Sequence, residues 1–268
     1  MQNINFLDNF HLEDVQSTDH PSDYITASDH SILILRLPKI ELEKVSIVSY
    51  SFVLKDGVCY IYNREISEFE LVGDLTQLNQ LLDKHTQKLI KDIKQYFYEI
   101  DRLEDSLYEN HFSNDFMSKW LRYKKDISLV HRLMFDVALS FDLFMKHNKN
   151  NPSFKYLEYE DQYEHIERIK DLSKVALDKL DHLYDFYRAK VDEKMNKNIY
   201  YLTLLSGIFL PLTLVSGFFG MNTGGLPFTN DPNGTWTVFT ISIVLELIVF
   251  IPFFLQNIKK PKKFKRSN

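Results

Sequence analysis

Glu164, Asp171, Asp178, Asp185 and Asp192 recur at intervals of seven residues. A seven-residue repeat keeps one seam of a supercoiled helix facing one way. Such a row of carboxylates has two readings. It is a solvated face balanced by Lys174, Lys179 and Lys190, or it lines an aqueous lumen and concentrates cations. Continued in steps of three or four, the same phase passes Asn196, Ile199, Leu202, Ser206, Leu210, Thr213 and Gly217, and ends beside Gly220-Met221-Asn222. Asn196, Ser206 and Thr213 are polar, and polar groups at membrane depth face protein or a water-filled path. With several chains around an axis, an Asn amide and exposed carbonyls form a neutral ring of oxygens. Such a ring binds the water shell of a cation without stripping it, which suits the slowly dehydrating Mg²⁺. The plainer reading of Gly-Met-Asn is a helix-ending turn with Gly220 as its cap.

These residues need elements to carry them. From Asn198 to Ile258 there is no Lys or Arg, and the only acids are Asp231 and Glu246. Residues 199–219 are uncharged and 21 long, enough to cross a hydrocarbon core of about 30 Å. Residues 236–255 supply a second span, interrupted by Glu246 and Pro252. Lys194 and Lys197 precede the first span, six basic residues from Lys259 to Arg266 follow the second, and the 220–235 loop has neither Lys nor Arg. The positive-inside rule therefore puts both termini in the cytoplasm and the loop outside, as in a multi-pass protein of the cell (inner) membrane. Two spans cannot enclose a pore, so a conduit requires several chains.

The preceding residues read as α+β. Ser31–Leu37, Val45–Lys55 and Val58–Asn63 are strand-like, and Asp56-Gly57 between the last two predicts a hairpin. From Asp74 the apolar period turns helical, with a second helical segment from about Asn114 to His147 and a third from about Phe154. Between Phe154 and Phe219 the first glycine is Gly207 and the only proline is Pro211. One helix of about 66 residues, roughly 100 Å long, is therefore expected to run from a stalk into the first span. The expected order is a cytoplasmic α/β part over 1–73, helical hairpins over 74–153 and a stalk over 154–198. The spans 199–219 and 236–255 follow, with an external loop over 220–235 between them and a basic cytoplasmic tail over 256–268. The chain is predominantly α.

The formal net charge of −5 argues against a nucleic-acid partner. The start at Met1 has no signal-peptide pattern, and the single Cys59 fits a reducing compartment. No phosphate-loop, nucleophile-elbow or zinc-protease motif occurs, so no catalytic residue and no organic cofactor is expected. A membrane-anchored sensor or scaffold that does not conduct remains the competing class.

The run MNKNIYYLTLLSGIFLPLTLVSGFFGMN over 195–222, with its short loop, second span and lysine-rich end, closely resembles the CorA family of divalent-cation transporters. The resemblance implies a homopentameric funnel in the lipid bilayer, with the first span lining the pore. It implies that Gly220, Met221 and Asn222 form the filter and that Asn222 holds the hydrated ion. Asn196 and Thr213 match polar pore positions, and Leu202 and Leu210 match apolar rings. It also implies a regulatory metal between neighbouring cytoplasmic domains, for which Asp161 and Glu164 are stalk candidates and Asp185 a lumen candidate. The transported ion is expected to be Mg²⁺. The loop TGGLPFTNDPNG resembles the zinc-transporting branch instead, and Co²⁺ or Ni²⁺ fits the same architecture. Against direct Zn²⁺ ligation, the pore face has no His or Cys.

Overall fold

The computed structural model describes residues 7–41, 44–108, 115–221, 223–228 and 230–258. Residue 222 and the tail from 259 to 268 lie outside them, and with them the Asn222 filter and the basic anchor.

Strand β1 (Asp23–Thr26), β2 (Ser31–Glu41), β3 (Lys44–Lys55), β4 (Val58–Asn63) and β5 (Glu68–Gly73) form one antiparallel sheet in chain order. The β3–β4 hairpin closes with Lys55 opposite Val58. Asp56 (φ 51°) and Gly57 (φ 78°) between them are both left-handed, the geometry that gives a two-residue turn the twist of its strands. Alternation in β2 sorts the two faces. Leu33, Leu35 and Leu37 join Phe52 and Cys59 in the larger core with the helices. Ile32 and Ile34 join Val53, Tyr62 and Val15 in a smaller one. Val15 comes from helix α1 (Asn9–Gln16), whose N-cap Asp8 accepts from the His11 amide at 2.9 Å. Arg64 ties α1 to the sheet, donating to the Val15 carbonyl at 2.9 Å, the Ser49 carbonyl at 2.6 Å and the Ser51 hydroxyl at 2.8 Å.

Helix α2 (Leu75–Tyr108) and α3 (Phe116–Asn148) bury their apolar stripes against α4 (Tyr156–Phe219) and the inner sheet face. Polar links fix the register. Tyr159 donates to the Leu75 carbonyl at 2.7 Å, and the Gln162 amide donates to the Thr86 hydroxyl at 3.0 Å. Lys179 reaches both Asp101 and Glu104 of α2, and Lys124 of α3 meets Asp181 at 2.6 Å. Burial pushes the Cys59 thiol up to about 12, so it is an unreactive core group.

Helix α4 is continuous for 64 residues. The first compact unit ends at Tyr187 and a second runs from Arg188, containing the rest of α4 and helix α5 (Gly234–Ile258). Three elements escape the apolar patterns. Strands β1 and β5 are four and six residues long, and α1 is eight. Strands β1 and β5 are held by pairing with their neighbours β2 and β4, and α1 by the distant Arg64, more than by their own periodicity.

Candidate functional site

In the second unit, the apolar part of α4 has two kinds of face. Leu204, Ile208, Pro211, Leu212, Val215 and Phe219 are half-buried, at steps of three or four. On α5, Gly234 and Ser242 are buried and Val238 and Glu246 half-buried, again on one face. Phe219 and Val238 line one cavity of about 270 Å³ near the connecting loop. The two helices therefore pack through these faces.

Every residue that sequence phase puts on the pore side lies on the remaining surface. Asn196, Ile199, Leu202, Ser206, Leu210, Thr213 and Gly217 are all exposed, Leu202 at 64% and Leu210 at 70%. Exposed leucines of this kind need lipid or another chain to cover them. The Thr213 hydroxyl donates to the Phe209 carbonyl of its own helix at 2.7 Å. That spends its proton on its own helix. An 18-residue window of α4 has a mean hydropathy of 1.9 and no buried residue. It is long and apolar enough to cross a membrane.

Helix α4 ends at Phe219, and the Gly220 amide still bonds the Ser216 carbonyl at 2.8 Å. Its φ is not left-handed, so a glycine cap of the kind the motif suggests is not what requires it. A side chain is disfavoured for another reason, because a Cβ would stand 2.9 Å from the Ser216 oxygen. Met221 is exposed. The loop that follows turns at Gly225 (φ 90°) and Phe228 (φ 68°). Gly234 starts α5 where a Cβ would overlap the Phe228 carbonyl oxygen. No local signal in the sequence marks Gly234, because its constraint comes from a residue six positions earlier.

The stalk acids sit differently from a ready-made metal site. Asp161, Glu164, Asp171, Asp178, Asp185 and Asp192 are all exposed. Asp178 pairs with Lys174 at 2.8 Å, which holds its carboxyl below the usual range. Among the described residues no three His, Cys, Asp or Glu side chains gather to hold a metal. One chain therefore does not bring Asp161, Glu164 and Asp185 together, and a metal they share would need ligands from a neighbour.

A profile of the CorA-like Mg²⁺ transporter protein family matches residues 2–260. The chain belongs to that family. Among curated relatives it is 24% identical over 188 residues to the cobalt/magnesium transport protein CorA of Methanocaldococcus jannaschii, covering 67% of this chain and 56% of the relative. It is 26% identical over 178 residues to the zinc transport protein ZntB of Pectobacterium atrosepticum, covering 64% and 51%. The chain thus spans about half the length of these relatives. The solved structure of the Methanocaldococcus jannaschii CorA magnesium transporter has a TM-score of 0.75 at 20% identity, covering 92% of this chain and 83% of that one. Full-length CmaX has a TM-score of 0.68 at 13% identity, covering 93% and 82%. At these identities the likeness is one of fold. It places the antiparallel sheet and the long helices in the CorA architecture.

Proposed function

We propose that the protein carries divalent metal cations across a membrane through a homo-oligomeric pore. The observation that carries this reading is the exposure, in a chain of the CorA-like family, of one continuous α4 face from Asn196 to Gly217. A single chain leaves that face uncovered, and five copies around an axis would turn it inward. The polar Asn196, Ser206 and Thr213 would then meet water, and Leu202 and Leu210 would narrow the path. Gly220, Met221 and Asn222 form the outer ring, where Asn222 holds the ion through its water shell. Helix α5 is the second span, both termini are cytoplasmic, and the residues act by binding and orienting water rather than by bond chemistry.

Mg²⁺ is the proposed cargo, since a neutral oxygen ring matches an ion that keeps its waters. The similarity to a zinc transport protein, at 26% identity, favours Zn²⁺ as the second reading. Flux into liposomes holding the purified protein, with Mg²⁺, Zn²⁺, Co²⁺ and Ni²⁺ compared, tests both. Mg²⁺ flux well above the others is expected. Selective Zn²⁺ flux would replace the cargo, and no flux of any ion would leave a membrane-anchored scaffold.

A further inference from the structure

Pro211 lies inside α4. It has no N–H to offer the Gly207 carbonyl, so one backbone acceptor in the middle of the first span lacks its intrahelical donor. Polar backbone groups at that depth need a protein partner, because lipid supplies none.

Glu246 is the one acid in α5. Its Oε1 is buried and, among the described residues, accepts no hydrogen bond. Ser242, one turn earlier, is 7% exposed, and its hydroxyl donates to the Val238 carbonyl at 2.8 Å. It is therefore committed to its own helix.

Depth brings the two irregularities together. Phe219 lines one cavity with Gly234, Thr235 and Val238 of α5, so these mark one level to within a turn. From that level Pro211 and Gly207 lie eight and twelve residues back along α4, and Glu246 eight to twelve residues on along α5, about 12–18 Å in each case. Both residues are half-buried, on the faces through which the helices pack.

The span sequences offer Glu246 no cation. Between Asn198 and Ile258 there is no Lys, Arg or His, and the other titratable groups are Asp231 in the loop and Tyr200 and Tyr201 at the far end of the span. A neighbouring copy of the chain brings only the same groups. A carboxylate would be unpaired at that depth, whereas a carboxylic acid is a hydrogen-bond donor.

We propose that Glu246 is un-ionised and donates its O–H to the Gly207 carbonyl that Pro211 leaves open, clasping the two spans at mid-depth. The assignment rests on reading α4 and α5 as spans. It makes Glu246 a positioning residue for the pore helix and separates it from the ion path on the opposite face.

Infrared difference spectra of the reconstituted full chain against Glu246→Gln, at neutral pH, should contain the carbonyl band of an un-ionised carboxyl. Gln keeps a donor, so oligomer size, thermal midpoint and flux should stay close to wild type. Glu246→Leu should lower the midpoint, and adding Pro211→Ala, which returns an N–H to Gly207, should recover most of the loss. Absence of the un-ionised band would overturn the proposal, as would a Leu variant that loses nothing or is not rescued by Pro211→Ala. The span reading fails separately, if the chain stays in the aqueous phase without detergent. No flux even through the wild type, with band and rescue intact, would count against the transport reading and leave the clasp standing. Flux lost only in Glu246→Gln would put Glu246 on the ion path and overturn its positioning role.

Discussion

The indole of Trp120 donates its Nε1–H to the backbone carbonyl of Leu180 at 2.7 Å. The ring also stacks on Tyr184, with centroids 4.8 Å apart. One side chain of α3 thus holds α4 through both a hydrogen bond and an aromatic face. Trp120→Phe removes the first and keeps most of the second. It should cost about 0.5–1.5 kcal/mol, the worth of one net hydrogen bond. Trp120→Ala should cost more than Phe, because the stacking area goes as well. Thermal unfolding of the solubilised chain measures both; an unchanged Phe variant would show that the hydrogen bond contributes nothing, and equal losses that the stacking adds nothing to it.

His85 gives the sheet–helix contact a pH dependence. Its Nε2 lies 2.9 Å from the Pro38 carbonyl and its Nδ1 3.4 Å from the Tyr50 hydroxyl. Burial lowers its pKa, outweighing the bond to Pro38. The folded state therefore favours the neutral ring, whereas the unfolded chain takes up a proton near the ordinary value of about 6.5. Stability from this group is present above that value and is lost as pH falls through it. The thermal midpoint of the wild type should drop between about pH 7 and 5. In His85→Gln that part of the slope should disappear.

Asn222 carries the filter assignment. Asn222→Ala removes the amide oxygen and leaves the packed faces of α4 and α5 untouched, so it should lose most divalent flux at the wild-type oligomer size. Asn222→Asp keeps an oxygen but adds a charge. Several carboxylates around one axis would hold a divalent ion too tightly to release it, and conduction needs binding that an ion can leave. Asp should therefore impair flux while raising metal occupancy, measured by equilibrium dialysis. Unchanged flux through a correctly assembled Ala variant would remove the filter.

The acid stripe makes a graded prediction. If neighbouring stalks meet across a lumen, their carboxylates repel until a cation neutralises them. Excess Mg²⁺ should then protect the stalk from protease, and changing Asp178, Asp185 and Asp192 together to Asn should reduce that protection. Asp178 is already paired with Lys174, so Asp178→Asn alone should change little. Equal protection in the triple variant would make the stripe a solvated face.

Most of the fold was legible because its elements carry their own signals. The β-branched runs of β2, β3 and β4 and the Asp56-Gly57 turn are local, and the long glycine-free stretch before Gly207 foretold the continuous α4. Strand β5 and helix α1 were not legible, since their places are set by pairing with β4 and by Arg64. At the site, the phase of Asn196, Ser206 and Thr213 put them on one helix face, and the structure leaves that face exposed. Pro211 and Glu246 were each visible in the sequence, but their common depth was not. It depends on where the loop returns the chain, which Gly234 and Phe228 decide through a backbone contact.

The continuity of α4 also bears on how the protein is made. The sheet pairs each strand with its neighbour in the chain, so it can close as it is synthesised. The larger core cannot, because Tyr159, Ile166, Ile169, Ala176, Leu180 and Leu183 complete it. Only 36 residues separate Leu183 from Phe219, the last residue of the same helix. At synthesis rates of about 5–20 residues per second, that interval is roughly 2–7 s. The body thus acquires its final packing surface just as the most water-averse segment is being produced. A ribosome making this chain has little time between the two events, and a delay in the first would leave both apolar surfaces uncovered together.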